Sequence, residues 1–487
     1  MRGRLCGCLS VAYLPVVLCG LVLACTLARA EKSPNIVYII ADDQSWSDFG
    51  FMGNERVHTP NLDALAAESA RFPNGYLTTS VCRPSLMTLL TGLYPCQHGV
   101  HFNHGPPGNA GFNKLTTAEE YFRVRSEEFA LIERLPTLPK VLQGSRSYRS
   151  FQTGKFWEGH WRNGGFTGGM TIFETPPPEQ HYGGIRTLAS GVTVPHGNGD
   201  FGLQIGRETM QPIYDFVESA EQAATPWLLV YAPLLPHQPH DSPERFYEMA
   251  RAHPDVTAEE LPYFASIAQF DDTVGELMSW LRERGGVDDA LIVFTCDNGW
   301  RPGRAAERNR PEEFAPNDRS KRAPFDEGIR SPFLLHWQGQ IPPGNHEGLA
   351  SSIDLVPTIL SAAGVPRESR PVLPGLDLMP VVRGEADIPT DRAVFGAIYP
   401  GDASSLGHPE DDVAYRWVRQ GSEKLIVPRD EKAWGGYLKK TALFDVVSDP
   451  GELHDLSANP DSAARIGSLL SLLDAWWDGR SSVLTQP

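Results

Sequence analysis

The chain alternates short, continuous apolar runs with abrupt polar stops. Asn35 to Ala41 holds Ile36, Val37, Tyr38, Ile39 and Ile40 in one block that ends at Asp42 and Asp43. Unbroken runs of this length predict strands buried on both faces, as in a parallel sheet, where alternation would predict a half-exposed strand. Trp227 to Ala232, ending near Pro236 and His237, and Ala290 to Cys296, ending at Asp297, Asn298 and Gly299, repeat the pattern. Between them Pro60 to Glu68, Pro139 to Gln143 and Tyr263 to Arg282 carry helical spacing. Strands alternating with helices predict an α/β fold with a large, mostly parallel sheet flanked by helices. Ligand sites in such sheets lie at the carboxyl ends of the strands, and all three polar clusters fall there.

The texture changes near Asp387. Ala414 to Arg419, Glu423 to Val427 and Ala442 to Val446 read as short strands, followed by an apolar helix from Ile466 to Trp477. The expected organisation is therefore a catalytic α/β domain over 31–386 and a small C-terminal α+β subdomain over 387–487. Residues Gly159 to Gly169 and Pro176 to Gly202 are rich in glycine and proline and predict loops over the active edge of the sheet.

Composition places these elements in a cellular setting. Arg2 and Arg4 precede an apolar stretch from Leu9 to Leu27, and Ala28, Arg29, Ala30 forms a small-x-small cleavage site, so residues 1–30 read as a signal peptide. Pro15 and Gly20 interrupt the stretch and weigh against a membrane span. Val22 to Cys25 also fits a bacterial lipobox, which would leave a lipid anchor at Cys25. Both readings export the protein, to the periplasm or the extracellular space, as a free protein or a membrane-anchored lipoprotein. Four of the seven cysteines lie in this segment, leaving Cys82, Cys96 and Cys296. Three is too few for a disulfide framework, and the odd count sets one thiol apart for another purpose. Of 43 Lys and Arg, three lie in residues 1–30, leaving 40 against 60 acids. That balance disfavours nucleic acid as a partner.

Cys82 opens the run Cys82, Arg83, Pro84, Ser85, Leu86, Met87, Thr88, Leu89, Leu90, Thr91, Gly92. Pro84 suits a first helical turn, Leu86, Leu89 and Leu90 share a face, and Gly92 can end the helix. Cys82 then sits at a helix N-terminus, where developing negative charge is stabilised; the plain alternative is a buried cysteine before a core helix. Asp42, Asp43, Asp297 and Asn298 are short oxygen donors at two strand ends, a set suited to Ca²⁺ or Mg²⁺ and unsuited to zinc. Taken singly, each pair reads equally as a helix cap or a turn.

In order along the chain, PNIVYIIADD from Pro34, TPNLDALAAES from Thr59, CRPSLMTLLTGLYP from Cys82, TGKFW from Thr153, PHQPH from Pro236, DNG from Asp297, KRAPFDEGIRSP from Lys321 and LFDVVSDPGELHDL from Leu443 resemble the sulfatase family of the alkaline phosphatase superfamily. The resemblance covers nearly all of the chain beyond residue 30. It implies a sulfuric ester hydrolase in which Asp42, Asp43, Asp297 and Asn298 hold one Ca²⁺ and Cys82, converted by a formylglycine-generating enzyme, completes the shell as formylglycine. A hydrated aldehyde offers one hydroxyl to attack sulfur and a second whose ionisation expels the sulfate. Lys155, His237 and Lys321 match positions that hold the sulfate and assist the leaving oxygen. Lys321 and His237 are expected to neutralise and protonate it, and Lys155 to grip a sulfate oxygen.

Two departures stand out. The family's modification signal carries arginine where this chain has Leu86, and Arg83 is the candidate to compensate, as a substrate-binding residue. Its place before proline disfavours simple helical stacking. Family members also carry a histidine two positions after the lysine, where this chain has Trp157, and His160 is the nearest candidate for the base that expels sulfate. Asp326 and Glu327 stand where an acid and a glycine are usual, which is expected to alter local packing only. The leading expectation is an exported Ca²⁺-dependent sulfatase, with a carbohydrate ester favoured over an aryl ester by Trp157, Trp161, Phe166 and Tyr182. A phosphate or phosphonate monoester hydrolase on the same site, and a catalytically impaired glycan-binding homologue, are the alternatives.

Overall fold

The computed structural model describes residues 33–177, 182–253, 255–300 and 319–483, together with residue 3. Apart from residue 3, the segment expected to be a signal peptide, with Cys25, lies outside the described residues, as does part of the loop expected over Pro176 to Gly202. No helix among the described residues is long and apolar enough to cross a membrane.

Eight strands form one twisted sheet in the order Gly344–Asn345, Ala70–Phe72, Phe333–His336, Ala290–Cys296, Asn35–Ala41, Trp227–Ala232, Arg149–Gly154, Gly168–Gly169. The central four run parallel; Phe333–His336 is antiparallel to both its neighbours. Along Asn35–Ala41 successive side chains enter opposite layers, as a pleat requires. Ile36, Tyr38 and Ile40 pack with Leu86, Met87, Leu89 and Leu90 of the helix Cys82–Thr91, while Val37, Ile39 and Ala41 pack with Leu62, Phe270 and Val274 from helices on the other face. The result is a mixed α/β core of helix, sheet and helix layers.

Register then dictates where the polar groups go. Ala41 pairs with Cys296, so Asp42 and Asp297 emerge side by side. Asp42 bridges to Pro236, which brings His237 to the same rim. Gly154 pairs with Ala232, and the Lys155 amide donates to Ala232 O at 2.6 Å. Gly154 has φ +70°, and a Cβ there would lie 1.9 Å from Ala232 O, so only glycine lets the chain turn Lys155 over the rim.

A four-stranded antiparallel sheet follows, in the order Ala393–Ile398, Tyr415–Gln420, Glu423–Pro428, Ala442–Asp445, covered by the helix Ala463–Trp476 through Leu469 and Leu473. The reach of Asp326 is longer than local packing. It accepts from Lys424 Nζ at 2.7 Å and from Tyr76 Oη at 2.6 Å, all buried, and so ties the segment after Lys321 to the C-terminal sheet.

Candidate active site

Four parallel strand ends and one helix start converge on a single point. Oxygen atoms of Asp42, Asp43 and Asp297 and the Sγ of Cys82 lie within 4.8 Å of one another, all on buried residues. Asp43 has φ 64°, a strained value for a residue with a side chain, and turns there to bring its carboxylate into the group. Its amide donates to Asp297 Oδ1 at 3.0 Å, and Asn298 Nδ2 donates to Asp43 Oδ1 at 2.6 Å. The Sγ of Cys82 is 3.7 Å from Asp43 Oδ1 and 4.0 Å from Asp42 Oδ1.

Two ammonium groups close on the cluster. Lys155 Nζ is 2.8 Å from Asp42 Oδ2. Lys321 Nζ is 2.5 and 2.6 Å from the two oxygens of Asp43 and 3.1 Å from Cys82 Sγ. Burial opposes the charge on both lysines, yet Asp42 beside Lys155 and Asp43 beside Lys321 raise their pKa values. Burial likewise opposes ionisation of Asp43, but Lys321, His237 and Lys155 bring it well below the usual carboxylate range. Asp297 goes the other way: burial, then Asp42 and Asp43, raise it strongly. Burial also pushes the Cys82 thiol up, so the neutral thiol is its resting form.

The donor set fits a hard cation. Asp297 Oδ2 and Asn298 Oδ1 are buried acceptors with no hydrogen-bond partner among the described residues. Three carboxylates face only two ammonium groups, and a divalent ion would satisfy both the orphaned oxygens and the repulsion felt by Asp297. His237 stands at the edge, half-buried, with Nε2 3.5 Å from Asp43 Oδ2 and Nδ1 held by Gln238 O at 2.5 Å. Its burial and Lys155 lower its pKa.

Cys82, Asp43, Lys155, His237 and Lys321 open onto a cleft of about 260 Å³, whose walls add Asn103, His104, Trp157, His196, Asn198, His240 and Trp300. These wall residues come from irregular segments without periodicity, so only Trp157 among them is legible from the sequence.

Two residues expected at the site have other tasks. Arg83 is turned away from the cleft: its Nε and Nη2 donate to Glu158 at 2.7 and 2.8 Å and its Nη1 to Glu128 at 2.6 Å, with all three side chains buried. Held by those two carboxylates, Arg83 is not among the residues that line the cleft, so it does not stand in for the missing arginine. His160 also misses the cleft. It caps the short turn Trp161–Gly164 by accepting from the Arg162 amide at 3.1 Å. Leu86 and Trp157, the two departures, line one small cavity whose walls are mostly apolar (Met87, Leu90, Phe156 and Phe166 among them) but which Arg83, Lys155 and Glu158 also border.

Residues 34–365 match the family described as Sulfatase. The chain is 28% identical to arylsulfatase A of Homo sapiens over 465 residues, covering 90% of this chain and 85% of that protein. It is 29% identical to N-acetylgalactosamine-6-sulfatase of Canis lupus familiaris, covering 88% of this chain and 83% of that protein. In fold it is similar to the crystal structure of Ps i-CgsB in complex with k-i-k-neocarrahexaose, with a TM-score of 0.68, 20% identity, and coverage of 94% of this chain and 95% of that one.

Proposed function

Because the chain belongs to the sulfatase family and is therefore a hydrolase of sulfate esters, we propose that it is an exported, Ca²⁺-dependent enzyme that cleaves a carbohydrate sulfate through formylglycine derived from Cys82. The observation that carries this reading is the buried group of Asp42, Asp43, Asp297 and Cys82, with Lys321 Nζ 3.1 Å from the Cys82 Sγ. Asp42, Asp43, Asp297 and Asn298 would hold the ion. When present, the ion and the hydrated aldehyde supply Lewis-acid polarisation and an oxygen nucleophile. An oxygen in place of the Cys82 sulfur would also make the donor set uniformly hard, which suits Ca²⁺ better than a thiol does.

The chain's own residues do the rest. Lys155, anchored by Asp42, is placed to grip a sulfate oxygen. Lys321 spans the nucleophile position and Asp43, where it opposes negative charge developing on the sulfate and the leaving oxygen. Since Gln238 O can only accept, Nδ1 of His237 carries its hydrogen, and Nε2 is the atom that takes up and delivers a proton at the mouth of the site. Export rests on residues 1–30, and the sugar preference on the polar wall of the cleft.

Peptide mass spectrometry across Cys82, on protein from its native host, tests the mechanism. The expected result is the mass of the aldehyde or its hydrate, together with sulfate release from sulfated sugars. An unmodified thiol in every molecule of an active preparation would overturn the formylglycine assignment.

A further inference from the structure

Beyond the carboxylates, the cleft is bounded by three rings that meet edge to face. The centroids of His104 and Trp157 are 5.4 Å apart, those of His104 and His196 5.5 Å, and those of Trp157 and His196 5.7 Å. Each histidine has one nitrogen committed behind the wall. His104 Nδ1 faces Asp402 Oδ1 at 3.3 Å; a carboxylate only accepts, so Nδ1 carries the hydrogen and Nε2 is a bare acceptor. His196 Nε2 lies 3.3 Å from Arg186 Nη2; a guanidinium only donates, so Nε2 accepts and the hydrogen sits on Nδ1. Burial keeps both rings neutral, bringing His104 down to about 4 and His196 well below its ordinary value, with Arg186 and Arg125 acting in the same direction.

His104 Nε2, an acceptor, His196 Nδ1, a donor, and Asn198 Oδ1, a second acceptor, thus belong to residues that line the cleft. All three atoms are shielded from water, and none has a hydrogen-bond partner among the described residues. A buried polar atom left unpaired is destabilising, so three on residues lining one cleft point to a ligand that completes them. A hydroxyl donates and accepts through a single oxygen and can satisfy an acceptor and a donor on adjacent rings. The ring of an aryl ester such as 4-nitrophenyl sulfate offers no hydroxyl donor.

We propose that His104, His196 and Asn198 form a hydroxyl-reading subsite that takes the polyhydroxylated ring of a sulfated sugar and selects it over an aryl ester. The proposal rests on the sulfatase reading for where the sulfate lies. It assigns specificity to residues outside the group that holds the sulfate. The cleft volume of about 260 Å³ lies near the small end of ligand pockets, the range for one sugar ring rather than a long chain segment.

The test uses the mature, metal-loaded enzyme with N-acetylgalactosamine 6-sulfate, its analogues lacking one hydroxyl at a time, and 4-nitrophenyl sulfate. In the wild type, removal of one particular hydroxyl is expected to lower kcat/KM roughly tenfold or more, because the site's polar atoms are then left unpaired. In His104→Phe and His196→Phe the same removal should change kcat/KM by no more than about twofold. His104→Gln, which keeps an acceptor, should recover part of the discrimination and shows that the loss is not general misfolding. Sulfate release from all esters with no hydroxyl dependence in the wild type, or equal hydroxyl dependence in wild type and variants, overturns the subsite and leaves the sulfatase reading intact. If no ester is hydrolysed, that reading fails, and calorimetric titration with N-acetylgalactosamine 6-sulfate decides the subsite: weaker binding by His104→Phe supports it and equal binding overturns it.

Discussion

The Lys321 ammonium touches the Cys82 sulfur at 3.1 Å and an Asp43 oxygen at 2.5 Å. One charge thus reaches both Cys82 and a carboxylate of the group proposed to hold the ion. Lys321→Ala is expected to lower kcat by roughly 10²–10³, the loss typical when one preorganised partner of developing charge is removed. Steady-state kinetics on a sulfated sugar measures it. A loss confined to KM would mean that Lys321 only binds substrate.

Leu86 is 8% exposed and lies with Trp157 on the same small, mostly apolar cavity. Restoring the family's arginine alone would force a guanidinium among Met87, Leu90 and Phe166 and beside the cationic Arg83 and Lys155, with Glu158 already paired to Arg83. Leu86→Arg is expected to destabilise by about 3 kcal/mol or more, read as a lower midpoint of chemical unfolding. Trp157→His opens polar space beside it, so the double variant should be more stable than the sum of the single losses by roughly 1 kcal/mol or more. Strict additivity would show that the two departures are independent.

Ion removal has a predictable sign. Without a divalent cation, three buried carboxylates face two lysines, and Asp297 is raised by burial and its two neighbours. Chelation should lower the thermal midpoint, and Ca²⁺ at a hundredfold over its Kd should return about 2.7 kcal/mol. Scanning calorimetry with Ca²⁺ and then Mg²⁺ checks both the effect and the choice of ion. An unchanged midpoint after chelation would show that folding does not use the ion.

Asp200 supplies a pH dependence away from the ion. It is fully buried, one oxygen accepts from the Gly197 amide at 3.0 Å, the other has no partner among the described residues, and burial lifts its pKa from 3.8 to about 7. Across that interval the folded state holds a proton that the unfolded state has lost, so this group's contribution to stability falls as pH rises from about 4 to 7. Asp200→Asn removes the slope and should be more stable than the wild type at pH 8, by up to about 4 kcal/mol, with little difference at pH 4. Urea unfolding at the two pH values measures it. An equal effect at both would remove the ionisation argument.

The central sheet was readable where burial alone decides the strand. Asn35–Ala41, Trp227–Ala232 and Ala290–Cys296 have the bounds their apolar runs predict. Arg149–Gly154 was not readable, because its polar side chains give no run. Ser150 and Gln152 are buried, and pairing with Trp227–Ala232 makes the segment a strand. The helix Ala118–Glu133 also escaped, although Thr117 caps it by accepting from the Glu120 amide, a signal that a search for capping residues would have found. Among site residues, those at strand ends could be named because strand register fixes them. Arg83 could not be placed, since its direction depends on Glu128 and Glu158, far along the chain.

That buried charge network sets a scale for the reaction. Glu128 accepts from Arg83 on the helix that begins with Cys82 and from Arg125, and through Oε1 from the Gly105 amide beside His104; Arg125 in turn donates to Gly197 O beside His196. The start of the helix that carries Cys82 and the segments beside both histidines are thus pinned to one charged hub that water does not reach. Such a hub acts as a caliper. Under the proposed subsite, a fixed spacing between Cys82 and the two histidines would make the choice between positional isomers of a sulfated sugar a measurement of length.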